Sequence, residues 1–324
     1  MSARVTLQAR INQYLAERRQ LGFELSTMGH ALARFARYVA KVGHRGPLTV
    51  DLMAAWARQA KGGQGDRATS ARQLQILRPF TGWLRQFEPT TEVPDEATFG
   101  RVPGRITPHV YREQEITELL AAARQIGPQG GLRAAVMETL FGLMSCTGLR
   151  ISEALGLQEA DVDLKAGVLT IRQSKFGKSR LVPLHPSTVE ALARYRTQRA
   201  GHVRTSPEAA FFVSTRGKLL GQPLGDRQAH RVFDQLRNQL GWVDRGGHGA
   251  PRVHDLRHAF AVRRLVLWHQ QGVDINQRML ALSTYLGHAR ISNTYWYLTG
   301  VPELMGLVGQ RFERFANPWE DGNE

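Results

Sequence analysis

Four segments of the chain carry side chains that could cleave and rejoin a phosphodiester bond. In chain order they are TGLRISEALGL with Arg150, SKFGKSRLVPL with Lys175, HDLRHAF with His254 and Arg257, and LGHARISNTYWY with His288 and Tyr297. Cleavage of such a bond by a side-chain hydroxyl requires a nucleophile, stabilisation of charge on the phosphate, and proton transfer. Because all three kinds of group are present, these residue types favour phosphoryl transfer.

Arg150 and Arg257 are the candidates for binding the phosphate. Their planar guanidinium groups offer paired N–H donors that match two phosphate oxygens, and their charge persists at any working pH. Either arginine, taken by itself, could form a structural ion pair instead, for example with Glu153 or Asp255. The presence of the other segments favours a role in chemistry for both.

Tyrosine and histidine would supply the nucleophile and the proton transfer. A phenol, with an ordinary pKa near 10, becomes a usable nucleophile beside cations and a proton acceptor. On a helix, the hydroxyls of Tyr295 and Tyr297 would point about 200° apart, so only one of them can face the arginines. His254 and His288 titrate near working pH and suit acid–base chemistry or phosphate binding.

The order and spacing of the four segments resemble those of the tyrosine recombinases. That family has an Arg in a G-hydrophobic-R-hydrophobic-S/G-E segment, a Lys in a β-turn, an H-x-x-R pair, and L-G-H followed nine residues later by a Tyr. The resemblance implies that Tyr297, rather than Tyr295, attacks a phosphate of DNA to form a 3′-phosphotyrosyl bond. Such a bond conserves the energy of the broken one, so neither ATP nor a metal nor another cofactor is expected.

The resemblance also implies roles for the remaining residues. Lys175, favoured over Lys178 in the same turn, would protonate the leaving 5′ oxygen, His254 would assist with the tyrosine proton, and His288 would donate to the phosphate. Glu153, one helical turn after Arg150, is expected to orient Arg150 or His254 without touching DNA. His258 lies on the same helical face as His254, and we expect it to pack behind the site.

The elements that must position these residues form two domains. Helical spacing of apolar residues predicts a bundle over residues 1–95, which corresponds to the core-binding (SAM-like) DNA-binding domain of the family. Residues 96–107, rich in proline and glycine, are predicted as a linker. Residues 108–316 are predicted as a mixed α/β catalytic domain with a β-hairpin over VLTIRQSKFGKSRLVPL, and 317–324 as a tail. The expected fold class is mainly α with a small β-sheet.

The amino-acid composition indicates what kind of partner the protein binds and in which cellular compartment it works. The 324 residues contain 43 Lys and Arg against 28 Asp and Glu, a formal charge of +15 that favours a polyanion such as DNA. No stretch of the sequence is apolar enough for a membrane span or a signal peptide, so a cytoplasmic, nucleoid-associated protein is expected. The only cysteine, Cys146, lies in an apolar run and is predicted to be a buried thiol that forms no disulfide within the chain.

Three other functions are compatible with parts of the pattern. His254, His258 and His288 could form a zinc triad, although the helical spacer carries Asp-Leu-Arg rather than the glutamate of a zinc hydrolase. A type IB topoisomerase would use similar residues to relax DNA, and an inactive DNA-binding protein could retain the same fold. The sequences of the motifs resemble those of integrases, and every motif position carries the residue type that the family has there. Both observations favour a site-specific recombinase.

The resemblance further predicts how the protein assembles. Four copies would synapse two double-stranded recombination sites and exchange strands in pairs through a Holliday junction. The amphipathic segment PELMGLVGQRFERF after Tyr297 is expected to dock on a neighbouring copy, although it could also close its own domain. A partner recombinase or an accessory protein is possible in this family. The target sequence and the biological role are not encoded in these motifs.

Overall fold

The computed structural model describes residues 5–59, 67–96, 98–100, 104–128, 130–172 and 179–300. Clustering of contacts divides the chain into two compact units, Met1–Arg105 and Ile106–Glu324. Lys175, Lys178 and the segment after Gly300 lie outside the described residues. Their predicted roles, including docking of the C-terminal segment, therefore stay predictions.

The regular secondary structure in the described part of the first unit is all helical. Its helices are α1 (Leu7–Gln20), α2 (Ser26–Lys41), α3 (Val50–Arg58) and α4 (Arg67–Leu84). The hydroxyls of Thr6 and Thr49 cap α1 and α3 by accepting backbone N–H bonds. Aromatic side chains from all four helices meet in the core, namely Tyr14, Phe35, Trp56, Phe80 and Trp83.

The second unit combines helices with a small sheet. In chain order its elements are α5 (Glu113–Arg124), α6 (Leu132–Thr147), α7 (Ile151–Leu155), β1 (Val162–Asp163), β2 (Val168–Ile171), β3 (Arg180–Pro183), α8 (Pro186–Ala200), α9 (Asp226–Leu240), α10 (Asp255–Gln270), α11 (Ile275–Leu286) and α12 (Ser292–Gly300). Short 3₁₀ turns cover Glu159–Asp161 and Gly217–Leu219. The predicted fold class, mainly α with a small β-sheet, is confirmed.

The predicted hairpin is present. β2 pairs with β3 in antiparallel register, with Leu169 opposite Val182, and β1 adds a short antiparallel edge to β2. Leu169 and Ile171 are buried whereas Val168 and Thr170 are half-buried, which is the alternation that the sequence predicted. The register places Arg180 at the start of β3, close to the chemistry described below.

Helix α6 lies at the centre of the second unit. Its buried residues include Leu132, Met137 and Phe141, which lie on several sides of the helix, and it packs against α5, α8 and α10. A helix that is apolar on every side must be enclosed by other elements. This enclosure fixes the C-terminal end of α6, from which the chain runs directly to Arg150.

One sequence-based expectation in this unit is wrong. Cys146 is exposed near the end of α6, where its Sγ donates to the carbonyl of Leu143 and accepts from the hydroxyl of Thr188. At the start of α5 the cap position is Arg112, whose backbone N–H donates to Glu115. Separately, none of the helices in the described part of the chain has the length and apolar character needed to cross a membrane.

Candidate active site

Arg257 lies where the C-terminal ends of two helices meet. Its side chain is 2% exposed and donates to the carbonyls of Gly148 and Leu286, each at 2.7 Å. Carbonyls at helix C-termini lack helical partners and carry partial negative charge, so a guanidinium stabilises both ends at once. Burial, and then the nearby Arg150, lower the pKa of Arg257 to about 10, which leaves it charged at neutral pH.

Arg150 lies next to Arg257 at the start of α7. Its Nη1 donates to Glu153 at 2.6 Å and its Nη2 to the carbonyl of Gly287 at 3.1 Å. The Arg150 side chain is 23% exposed. The two guanidinium groups therefore share one cluster, and Arg150 is the more accessible of them to a phosphate.

Two glycines allow this convergence. Gly148 and Gly287 follow α6 and α11 with φ of 64° and 66°, the left-handed region that favours glycine. A Cβ on Gly148 would lie 2.6 Å from the ring of Phe260, and one on Gly287 would lie 2.6 Å from Nη1 of Arg180. The glycines in TGLR and LGH thus serve both chain reversal and close packing around the arginines.

Glu153 is the counter-ion of the arginine cluster and offsets part of its positive charge. Its carboxylate accepts from Arg150 and forms two hydrogen bonds with Arg180, at 3.1 and 2.9 Å, while Arg257 lies 4.0 Å away. Burial acts to raise the pKa of Glu153, but the hydrogen bonds from Arg180 and from the backbone of Arg150 lower it to about 2. Glu153 thus contacts Arg150, one of its two predicted partners.

Arg180 is a part of the site that the sequence analysis missed. Besides its bonds to Glu153, its Nε donates to the carbonyl of Tyr285 at 2.8 Å, and its side chain is 9% exposed. Arg180 therefore links β3 to the end of α11 and holds Glu153 from a second direction. The residue lies within SKFGKSRLVPL, but its partners depend on long-range packing that spacing does not show.

Tyr297 and Tyr295 lie in different surroundings on α12. Tyr297 is 2% exposed, whereas Tyr295 is 37% exposed. The Tyr297 ring is nearly parallel to the ring of His288, with centroids 6.4 Å apart. Of the two tyrosines, Tyr297 is therefore the one whose side chain packs inside the unit, beside His288.

The histidine that contacts the Tyr297 hydroxyl is His258. Its Nδ1 lies 2.9 Å from Oη of Tyr297. His254, which was expected to assist with the tyrosine proton, has its ring 4.9 Å from that of His258, and no hydrogen bond joins it to Tyr297 among the described residues. The expectation that His258 only packs behind the site therefore needs correction.

The environment of both histidines opposes protonation. Burial, followed by the charges of Arg257 and Arg252, lowers the pKa of His254 to about 4. Burial, followed by His254, Arg252 and Arg257, lowers the pKa of His258 to about 2. Both rings are therefore neutral in the DNA-free protein at neutral pH.

His288 lies between α11 and α12 and is oriented by a residue of α12. Its Nδ1 lies 2.7 Å from the hydroxyl of Thr294, which is fully buried. Such a contact restricts rotation of the imidazole ring. Because His288 directly follows Gly287, whose carbonyl binds Arg150, the ring is held beside the arginine cluster.

A glycine-rich loop positions the start of α10. The Asp244 carboxylate accepts the backbone N–H groups of Gly246, His248 and Gly249, and Arg252 forms an ion pair with Asp255 at 2.6 Å. These local bonds fix the backbone that leads into His254. The RGGHGAP stretch, residues 245–251, is therefore held by hydrogen bonds to Asp244 just before the chain reaches His254.

The grouping of these residues does not match a metal centre. In the described portion of the chain, no three His, Cys, Asp or Glu residues are grouped so that they could hold a metal ion. Within the proposed zinc triad, Nδ1 of His258 is engaged with the Tyr297 hydroxyl. The geometry instead gathers arginines, histidines and a tyrosine, which are groups that bind and attack a phosphate diester.

Comparisons with known sequences identify similar proteins. The sequence profile of the phage integrase family matches residues 109–301. A Sinorhizobium fredii protein named integrase/recombinase y4rB is 36% identical over 319 residues, which cover 98% of this chain and 99% of that protein. Tyrosine recombinase XerD of Neisseria meningitidis is 31% identical over 251 residues, covering 76% of this chain and 78% of XerD.

Solved structures share the fold. The Tn1549 transposon integrase in complex with transposon right end DNA aligns with a TM-score of 0.65 and 17% identity, over 95% of this chain and 99% of that one. XerH recombinase bound to its palindromic difH substrate, in a post-cleavage complex, aligns with a TM-score of 0.62 and 20% identity, over 91% and 80% of the two chains. At such identities the likeness concerns the fold.

Proposed function

Because this chain belongs to the phage integrase family of tyrosine recombinases, we propose that its site-specific recombination of DNA is carried out by Tyr297 as the nucleophile. The observation that carries the assignment is the position of the Tyr297 hydroxyl, which contacts His258, the residue after Arg257 on α10, from a buried side chain. Tyr295, two residues earlier, is the more exposed tyrosine. The chain is thus an enzyme of DNA strand exchange whose reacting groups are side chains.

The proposed reaction exchanges one phosphodiester for another. Oη of Tyr297 attacks the phosphorus, the bond to the 5′ oxygen breaks, and a 3′-phosphotyrosyl bond forms. The phenol proton passes to His254, whose pKa rises beside a bound phosphate. Protonation of the leaving 5′ oxygen completes the step, and we assign this proton to Lys175. The 5′ hydroxyl of a second strand then attacks the phosphotyrosine and releases Tyr297, so no ATP is consumed.

The arginines stabilise the charge that develops on the phosphate. Arg150 and Arg257 now donate to carbonyls and to Glu153, so their guanidinium groups are already oriented before DNA binds. Preorganised donors in a water-poor site stabilise a transition state more than mobile ones. We assign His288 as a further donor to the phosphate, while Glu153 keeps Arg150 in place.

The first unit supplies a basic groove that suits the DNA backbone. Arg34, Arg37 and Lys41 from α2 line this groove together with the aromatic residues Tyr38 and Trp56. Clustered cations on one helix bind successive phosphates and release counterions. We propose that this groove contacts duplex DNA at the recombination site. The solved relatives named above were determined with DNA of their own.

Strand exchange requires two DNA recombination sites to be held together, and this requirement underlies the proposed assembly of the protein. We propose that four copies hold two DNA sites and exchange strands through a Holliday junction, with the C-terminal segment docking on a neighbouring copy. A partner recombinase or accessory protein could replace some of these contacts. Since the substrate is DNA, we place the protein at the nucleoid in the cytoplasm. Neither a topoisomerase nor an inactive DNA-binding protein is favoured, because the relatives are integrases and recombinases.

Strand exchange tests the proposal. Wild-type protein would be incubated with two labelled duplexes taken from the DNA that flanks the gene, in the presence of chelator and without ATP. We expect recombinant joints from wild type and from Arg264→Gln, which removes an exposed arginine on the same helix as Arg257. Arg257→Gln should yield none while still binding DNA. Joints that require ATP or a metal would contradict the proposed chemistry.

A further inference from the structure

We propose that His258 is the positioning residue for the nucleophile: its neutral ring holds the Tyr297 hydroxyl through Nδ1 in the orientation from which it attacks. The inference rests on the proposed function, in which Tyr297 is the nucleophile. It gives a specific role to a histidine that the spacing of the motifs had placed behind the site.

The contact is held from both sides of the hydrogen bond. His258 lies on α10, one turn after His254, and its ring is perpendicular to that of His254 at 4.9 Å. Trp296 packs edge-on against His258 at 6.1 Å and against Tyr297 at 5.4 Å. The imidazole and the phenol are therefore both enclosed, so that the 2.9 Å bond between Nδ1 and Oη fixes how the hydroxyl points.

His258 is better suited to hold the hydroxyl than to receive its proton. Burial lowers the pKa of His258 to about 2, and the neighbouring His254, Arg252 and Arg257 act in the same direction. A phenol has an ordinary pKa near 10, so proton transfer to this ring would be unfavourable by many powers of ten. The phenol proton passes to His254, whose pKa rises beside a bound phosphate, and His258 stays neutral throughout.

The atom that makes the contact gives the proposal a sharp test. Nδ1 is attached to Cγ, and the side-chain amide of asparagine places its polar atoms at the same distance along the side chain. Glutamine instead reaches the position of Nε2, and phenylalanine keeps a ring without a hydrogen-bonding group. Asparagine cannot carry a proton between groups at neutral pH, so it separates positioning from proton transfer.

The experiment measures covalent adduct formation in a single turnover on a nicked DNA site at saturating protein. We expect His258→Phe and His258→Gln to react about 10-fold or more slowly than wild type, because a hydrogen bond that orients the reacting atom is lost. His258→Asn should stay within about threefold, since the bond is kept. His269→Asn, on the same helix α10, is the matched control, and DNA affinity should be equal in all variants.

Two results would overturn the proposal. If His258→Asn is as slow as His258→Phe, the ring carries a proton rather than positioning the hydroxyl. If His258→Phe and His258→Gln both react at the wild-type rate, the contact is not used in the reaction. If His258→Phe fails to fold, the reaction rates of His258→Asn and His258→Gln still show whether the hydrogen bond at the position of Nδ1 is required. Absence of an adduct in wild type would instead refute the proposed function itself.

Discussion

Glu153 offsets one of the three positive charges of the arginine cluster, which leaves the site positive for a phosphate. The guanidinium groups of Arg150, Arg257 and Arg180 surround the Glu153 carboxylate. They also donate hydrogen bonds to backbone carbonyls at the ends of α6 and α11. Removing one partner of a buried ion pair leaves the other charge uncompensated, which costs more than the pair contributes. The stability of the site therefore depends on the ionisation of Glu153.

Glu153→Gln should destabilise the protein in a pH-dependent way. We expect a thermal midpoint roughly 5–10 °C below wild type at pH 7, because the buried arginines lose their counter-charge. The folded pKa of Glu153, about 2, lies below the ordinary value of 4.5, so its stabilisation is complete above pH 4.5 and is lost as the pH falls toward 2.

Thermal unfolding followed between pH 7 and pH 3.5 checks this prediction. The gap between wild type and Glu153→Gln should be constant above about pH 5 and should narrow below pH 4.5. Glu190→Gln, which removes an exposed carboxylate on α8, should show no such gap. A gap that stays constant down to pH 3.5 would mean that Glu153 does not balance the arginines as an ion.

His254 should remain neutral well below its ordinary titration range. Burial and the charges of Arg257 and Arg252 place its pKa at about 4 in the DNA-free protein. We expect its ring signals in two-dimensional NMR, assigned by their loss in His254→Gln, to stay unchanged from pH 8 to about pH 5. DNA should shift the titration upward, because a bound phosphate favours the charged ring. Titration near pH 6.5 in the free protein would contradict this environment.

At the level of single residues, the sequence predicted which residues form the site better than it predicted which of them are in contact. The motifs named the arginines, histidines and tyrosine that the fold brings together, because those types and spacings reflect the chemistry. They did not show that His258 rather than His254 contacts Tyr297, since both lie on one face of α10. They also missed Arg180, because its bond to Glu153 depends on how β3 packs against α7 and α11.

Secondary-structure elements were predictable where periodicity was strong. Helix α6 begins and ends where its apolar run does, at Leu132 and Thr147, and the β2–β3 hairpin follows its alternating pattern. Strand β1 has two residues, Val162 and Asp163, which is too short for a period to appear. The exposure of Cys146 was missed because an apolar run does not show which side of α6 its neighbours leave uncovered.

The glycine-rich loop before α10 offers a test at the scale of one element. A Cβ on Gly246 would lie 2.6 Å from the carbonyl oxygen of Thr107 and 2.7 Å from the backbone nitrogen of His109. Backbone atoms cannot move aside as a flexible side chain can, so Gly246→Ala should cost about 1–3 kcal/mol. Because the loop leads into His254, adduct formation should slow as well.

Thermal unfolding and adduct formation of Gly246→Ala check this expectation. Gly104→Ala is the matched control, because Gly104 lies in a loop, its φ is outside the left-handed region, and a Cβ there meets no atom within 4 Å. That substitution should leave stability unchanged or raise it by about 0.4–1 kcal/mol. Equal stability of the two variants would show that the loop does not pack against Thr107 and His109 as described.

The whole molecule is strongly basic, and part of its positive charge is concentrated in one groove. The formal charge of +15 predicts a polyanion as partner, and the groove of Arg34, Arg37 and Lys41 gives part of that charge a location. From the sequence, phosphate contact could be expected only for some of many arginines. The groove could not be predicted because the sequence does not show which helix faces remain open.

Salt dependence of DNA binding tests the groove. Each phosphate contact contributes about 0.9 to the slope of log affinity against log salt concentration, so Arg37→Gln and Lys41→Gln should each lower the slope by about one unit. Arg124→Gln removes a cation that already pairs with Glu138 at 2.7 Å, and its slope should match wild type. Unchanged slopes for both groove variants would place the DNA elsewhere.

The central claim is that Tyr297 forms a covalent bond with DNA. The most direct measurement is a denaturing gel of wild type, Tyr297→Phe and Tyr295→Phe after incubation with nicked DNA from the sequence that flanks the gene, in the presence of chelator. We expect an adduct with wild type and Tyr295→Phe and none with Tyr297→Phe. An adduct that persists in Tyr297→Phe, or one that is lost only in Tyr295→Phe, would contradict the assignment of the nucleophile.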